Sequence, residues 1–117
     1  MRFVVKDFID DKYLKAINIL KSNLKENYHV FYGVRLSELL FPSGEYGTEK
    51  FFKDFELINS VFLPLIIYDT NERKAVMIVS FDEELDKSLL IETNFHCVTI
   101  SDLSEILKNS EFNSLYE

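Results

Sequence analysis

Apolar positions recur along this chain in two rhythms, and the rhythms divide it. Over residues 10–26, Tyr13, Ile17, Leu20 and Leu24 follow one another at spacings of four, three and four, which aligns them on one face of an α-helix. Asp10 or Asp11 stands where a cap is needed, and Lys25 near the end where the helix dipole favours positive charge. Residues 28–32 are aromatic and β-branched and predict a strand. Gly33 interrupts it, and residues 34–40 read as a further strand or one helical turn, with a short helix favoured from Leu36. Residues 42–48 contain Pro42, Gly44 and Gly47 and predict a loop.

The second half carries longer apolar runs. Residues 61–68 and 74–81 are almost unbroken in apolar character, and the polar stretch 69–73 separates them. Two such runs around a short polar turn predict a β-hairpin, buried on both faces because neither run alternates. Pro64 cannot donate a ladder hydrogen bond, so its strand is expected at a sheet edge or bulged there. Residues 83–93 predict a helix, with Leu85 and Leu89 one turn apart and acidic residues in its first turn. Residues 95–100 predict a third strand beside the hairpin.

Asp102 and Glu105 have capping-box spacing before a final helix with Leu103, Ile106 and Leu107. The polar tail from Asn109 is expected to fray. The order implies one α/β domain over residues 1–117, an α/β/α sandwich with a mixed sheet and helices on both faces. An apolar hairpin edge left uncovered would invite pairing with another chain, so a homodimer through it is one expectation.

Composition narrows the function. The chain has 117 residues and a net charge of −7, from 20 acidic and 13 basic side chains. A field of that sign works against nucleic-acid binding, which rests on Lys and Arg neutralising phosphates, and it favours a basic protein partner. With 11 Phe and 6 Tyr there is ample core material without a disulfide or metal staple. Cys97 is the single cysteine and lies in an apolar run, which suits a reducing compartment. No run approaches the roughly 18 apolar residues of a membrane span, and the acidic N-terminal region does not read as a signal peptide. A cytoplasmic protein is expected.

Candidate chemistry is sparse. Asp82, Glu83, Glu84 and Asp86 form the densest acidic cluster, but their spacing matches no calcium loop and suits a solvated helix start. His96 and Cys97 are neighbours on one predicted strand, so their side chains point to opposite faces and cannot act on one atom. Gly44 and Gly47 lack the Lys-Ser/Thr of a phosphate loop. Lys12, Lys15, Lys21 and Lys25 are too dispersed for one basic stripe and read as a solvated face. Tyr46, Phe51, Phe52 and Phe55 cluster before the hairpin. Most are expected in the core, and any left outside beside Lys50 and Lys53 would form an interaction surface.

The stretch His29-Val-Phe-Tyr-Gly-Val-Arg-Leu-Ser-Glu-Leu-Leu40 resembles the opening of a bacterial domain family of unknown function related to the restriction-endonuclease-like, PD-(D/E)XK nucleases. In the same resemblance the hairpin corresponds to residues 64–69 and 79–82, a helix to residues 86–90 and a closing strand to residues 95–100. It spans roughly residues 28–100 and implies a restriction-endonuclease-like fold. In such nucleases an Asp and a Glu from adjacent strands hold a divalent metal, which needs oxygen ligands within coordination distance. Here the first Asp is replaced by Pro64, or Leu63 in a shifted register, and the Glu by Ser80, leaving Asp82.

The resemblance therefore implies a degenerate member that kept the fold and lost the metal, so no catalytic residue, metal or cofactor is expected. Arg35, Asp69 and Asp82 are the candidate binding residues. Arg35 belongs to the family-like signature, and its guanidinium fork suits a phosphate, a carboxylate or a structural ion pair. The leading expectation is a non-catalytic binding domain, immunity-protein-like, whose target is a protein. One alternative is a nucleic-acid-associated module that lost cleavage. Another is a metal-dependent nuclease with a displaced site, in which Asp69, Asp82 and Glu38 or Glu56 converge within about 8 Å.

Overall fold

The computed structural model describes residues 2–81, 85 and 87–117. Asp10 accepts a hydrogen bond from the Lys12 N–H at 2.9 Å and starts α1, Asp11–Asn23. Tyr13, Ala16, Leu20 and Leu24 are buried along its inner side, and full burial of a side chain such as Leu20 stabilises by about 1.5–3 kcal/mol. Past the helix end, the Lys25 N–H and ammonium donate to Leu115 and Ser114 carbonyls, so Lys25 fastens the C-terminal segment and lies outside the helix it was expected to end.

Four strands form one sheet: β1 (Tyr28–Arg35), β2 (Phe62–Asp69), β3 (Lys74–Phe81) and β4 (Cys97–Ile100). Their spatial order is their chain order. β1 and β2, and β2 and β3, pair antiparallel, whereas β4 runs parallel to β3. The expected hairpin is therefore β2–β3, and the sheet is mixed. Both hairpin strands are interior and their register shift lies at Ile67/Tyr68, which corrects the expectation that Pro64 marks an edge or a bulge and that the hairpin supplies a free edge. Pro64 is accommodated because the registered β2–β3 ladder begins one residue later, at Leu65↔Val79.

Gly33 does not end β1, as the sequence suggests. It stands opposite Pro64, between the registered pairs Tyr32↔Leu65 and Val34↔Leu63, with φ at +68°. Alternate residues of a regular strand share a face, but here the rule breaks. Tyr32, Leu65 and Ile67 belong to one core layer, whereas Val34 and Leu63 belong to the other. Both strands change faces at the Gly33–Pro64 pair.

The first layer lies under α1, the short α3 (Glu105–Lys108) and the C-terminal segment, with Val79, Phe81, Val98, Ile100, Ile106 and Phe112 in its core. The Phe81 N–H donates to the Tyr13 hydroxyl at 3.2 Å, tying β3 to α1. The second layer gathers Leu36, Ile58, Leu63, Ile66, Ile78, Leu85 and Leu90 beneath a helix the sequence reading missed, α2, Glu49–Asn59. Helices cover both faces, as expected of the sandwich.

Two further expectations are corrected. In the region 83–93, Glu83, Glu84 and Asp86 lie outside the described residues. From Lys87 onward the chain forms turns and a single 3-10 turn at Leu90–Glu92, closed by the Thr93 hydroxyl donating to the Leu90 carbonyl at 2.7 Å. A hydroxyl that engages a nearby carbonyl in this way competes with helix propagation. The tail from Asn109 does not fray. Ser110–Leu115 form 3-10 turns, Phe112 is fully buried, and the Tyr116 hydroxyl donates to the Ile106 carbonyl at 2.6 Å. Burial pushes the Tyr116 phenol up to about 12.

Candidate functional site

Of the three expected site residues, Asp69 and Arg35 are kept apart by the sheet register. Asp69 ends β2 opposite Tyr28, and Arg35 ends β1 opposite Phe62. Seven residues of extended chain separate those positions, about 23 Å. Asp82 lies outside the described residues. Pro64 and Ser80 each stand one residue beyond the last registered pair of β2 and β3, so they are neighbours on adjacent strands. Ser80 is buried.

Asp69 serves the hairpin turn. Its carboxylate accepts from the Asn27 side chain at 3.0 Å, the Asn71 N–H at 2.9 Å and the Glu72 N–H at 3.3 Å. A carboxylate bonding to backbone N–H groups two and three residues on imitates a backbone turn, here one in which Arg73 adopts φ +57°. The Asn27 hydrogen bond, with help from the two N–H groups and Lys74, holds its carboxyl below the usual carboxylate range. A depressed carboxyl contributes stability that is complete above the unfolded-state value and is lost as pH falls through the folded one. Asp69→Asn is therefore expected to lower the thermal midpoint at neutral pH and to converge with the parent in acid. Parallel melts across pH would check this, and a constant gap would refute it.

Of the displaced metal centre expected from Asp69, Asp82 and Glu38 or Glu56, Asp82 lies outside the described residues, and Asp69 and Glu38 are not brought together. Glu38 lies in the 3-10 turn Leu36–Glu38 that follows Arg35, at the far end of β2 from Asp69. Among the described residues, no three His, Cys, Asp or Glu side chains are grouped to hold a metal. His96 reaches Glu111 at 2.8 Å on the α1 side, while Cys97 packs against the opposite layer. Burial pushes the Cys97 thiol up, which keeps it protonated and weakly nucleophilic. His29 is exposed on β1.

Arg35 is exposed, and its guanidinium lies 5.0 Å from the centroid of the Phe62 ring, itself largely exposed. The pair is a cation–π contact at one end of the sheet.

The larger concentration of accessible chemistry surrounds α2. Thr48 caps this helix by accepting from the Phe51 N–H at 3.1 Å. The Ser37 hydroxyl donates to the Asn59 side chain at 2.8 Å, joining the helix end to the segment after β1. Only Ile58 of α2 is buried. Phe41 is 88% and Tyr46 80% exposed, and Phe52, Phe55 and Leu57 are also exposed. The rings of Tyr46, Phe51 and Phe52 pack edge to face at 5.1 to 6.0 Å. Beside them a groove of about 1060 Å³ runs between α2, the start of β3 and residues 89–96, with Leu40, Leu57, Val76 and Phe95 in its walls.

Charge around the groove is mixed, with Lys50, Lys74, Asp54 and Glu92 along it. Lys50 is paired with Asp54 at 3.0 Å and Lys53 with Glu49 at 3.6 Å, while Glu38, Glu45 and Glu56 also stand exposed. The sequence reading expected most of Tyr46, Phe51, Phe52 and Phe55 in the core, and the exposure of Tyr46, Phe52 and Phe55 corrects it; the groove, whose walls come from distant parts of the chain, had no local signal.

No protein-family model, curated protein or solved structure matches this chain. Its class is that of a mixed α/β domain, and no helix among the described residues is long and apolar enough to cross a membrane.

Proposed function

We propose that this domain works by binding a protein and not by catalysis, through the aromatic face of α2 and the groove beside it. The carrying observation is the exposed ring cluster of Tyr46 and Phe52 with Phe41 and Leu57 around it. Aromatic anchors of this kind dominate the energy of protein interfaces, and a clustered apolar surface has a cost in water that a partner relieves. The chain's overall −7 favours a basic partner. An inhibitor of the immunity kind, which blocks a basic toxin or nuclease in the cytoplasm, fits this chemistry.

The scaffold under this reading is a degenerate restriction-endonuclease-like fold. The juxtaposition of Pro64 and Ser80, where the resembled enzymes carry ligands, supports that descent. A magnesium and manganese titration by calorimetry, with plasmid cleavage in parallel, tests it. Neither heat nor cleavage is expected. Metal binding abolished by Asp82→Ala would overturn the non-catalytic reading.

The interface is tested by capture from cell extract with the parent chain and with Phe52→Asp. A basic protein retained by the parent should lose at least about tenfold in affinity on the variant, since one central aromatic anchor is worth about 2 kcal/mol or more. Equal retention would refute the α2 face. A second reading, a nucleic-acid-associated module, is favoured by the exposed Arg35–Phe62 pair, which offers a cation and a stacking ring together. Oligonucleotide affinity that falls steeply with salt and is lost in Arg35→Ala would establish it.

A further inference from the structure

The segment before α1 is strand-like in composition but has no strand to pair with. Residues 2–8 read Arg-Phe-Val-Val-Lys-Asp-Phe, rich in the β-branched and aromatic types that favour strands. They are not in regular structure, and Phe3, Val4, Val5 and Phe8 are 76–98% exposed. Four large apolar side chains within seven residues, all in water, are an unfavourable arrangement for a solitary chain.

An unpaired strand edge lies at the root of this arm. β1 is the first strand in the sheet order and pairs only with β2. Among the described residues, the backbone hydrogen bonds outside the β2 ladder engage β1 only at its first residue, where the Tyr28 N–H donates to Lys25. The rest of its outer side is a row of free N–H and C=O groups, the template that edge strands present to other chains. Phe31 is half exposed on this strand. The Phe8 ring meets Tyr32 of β1 edge-on at 5.3 Å, so the arm begins beside the open edge. Yet within one chain the arm makes no backbone hydrogen bond to it.

We infer that two copies of this chain exchange their 2–7 arms, each laying its arm as an added strand along β1 of the other. Two observations select a second copy as the occupant. Donor and acceptor are both open in a single chain and adjacent to each other, so one two-fold operation satisfies both, as an isologous and closed interface requires. The lengths agree. Six arm residues reach about 20 Å, within the roughly 26 Å of the eight-residue β1. Main-chain hydrogen bonds then supply pairing, and alternate side chains of the arm reach the two faces beside β1.

This surface is separate from the α2 face, so the two readings stand or fall independently. Sedimentation velocity of the full chain over a concentration series tests the exchange. A reversible monomer–dimer equilibrium is expected. Val5→Glu should weaken it at least about tenfold while leaving the thermal melt of the dilute monomer unchanged, and Val5→Ile should retain it, because an aliphatic of similar shape keeps the strand contact. Hydrogen exchange should show β1 amides gaining protection with concentration in the parent but not in Val5→Glu. A chain that stays monomeric up to about millimolar, or a dimer indifferent to Val5→Glu, would overturn the inference.

Discussion

Phe112→Ala is expected to destabilise the fold by about 3–5 kcal/mol, the range for removing a buried aromatic ring and leaving its cavity. Phe112 is fully buried, and its ring stacks on Tyr116 with centroids 5.8 Å apart and an interplanar angle of 10°. The segment around it is held at several points: Leu24 bridges to Tyr116, and the Glu117 N–H donates to the Asn23 carbonyl at 2.9 Å. Because a domain of this size has only about 5–15 kcal/mol in total, the variant should have a large share of its stability removed. Urea denaturation followed by far-UV circular dichroism would measure this. A loss below about 1 kcal/mol would mean that the C-terminal segment is peripheral. Glu111→Ala, whose carboxylate meets the exposed His96 at 2.8 Å and accepts from the Asn109 side chain at 3.5 Å, should cost about 0–1 kcal/mol.

Gly33→Val is expected to cost about 1–3 kcal/mol through the backbone alone. No atom lies within 4 Å of where a Cβ at position 33 would stand, so a clash with neighbours is not the cause. The φ of +68° is, because a β-branched residue is disfavoured there while glycine is not. Gly33→Asn should cost less than Gly33→Val, since asparagine enters the left-handed region more readily. Gly44→Val in the preceding loop of α2, without a positive φ, should change stability by about 0.5 kcal/mol or less. Equal losses at positions 33 and 44 would show that the face change does not depend on glycine.

The consequence of that change reaches the proposed interface. It sends Val34 into the second layer, after which the Leu36 N–H donates to the Val61 carbonyl at 2.9 Å and Ser37 holds the end of α2. Gly33→Val should therefore also weaken partner binding in the capture assay, although position 33 is not on the α2 face.

Much of the architecture was legible where a single face is buried. The α1 pattern put Tyr13, Leu20 and Leu24 inward, and they are buried. The hairpin was legible from two apolar runs because β2 and β3 are covered on both faces, which removes the need for alternation. α2 was not legible for the opposite reason. With only Ile58 buried, it has no inward stripe, and its rings read as a cluster without a period. The available signals were Thr48 as a cap and the i,i+4 pairs Glu49–Lys53 and Lys50–Asp54. The polar tail misled because its two anchors, Phe112 and Leu115, are few. Their burial depends on the shape of the layer they enter, not on the polarity of their neighbours.

By itself, the sequence determined the mixed α/β class, the hairpin, the capped first helix and the acidic balance, because local propensity and apolar period act within a few residues of chain. Tertiary structure alone decided the strand order, the interior place of Pro64, the separation of Asp69 from Arg35 and the groove beside α2. Those depend on register and on contacts between residues distant in sequence. A one-residue change of face at Gly33 redirects every side chain beyond it, and no local pattern encodes which neighbours they then meet.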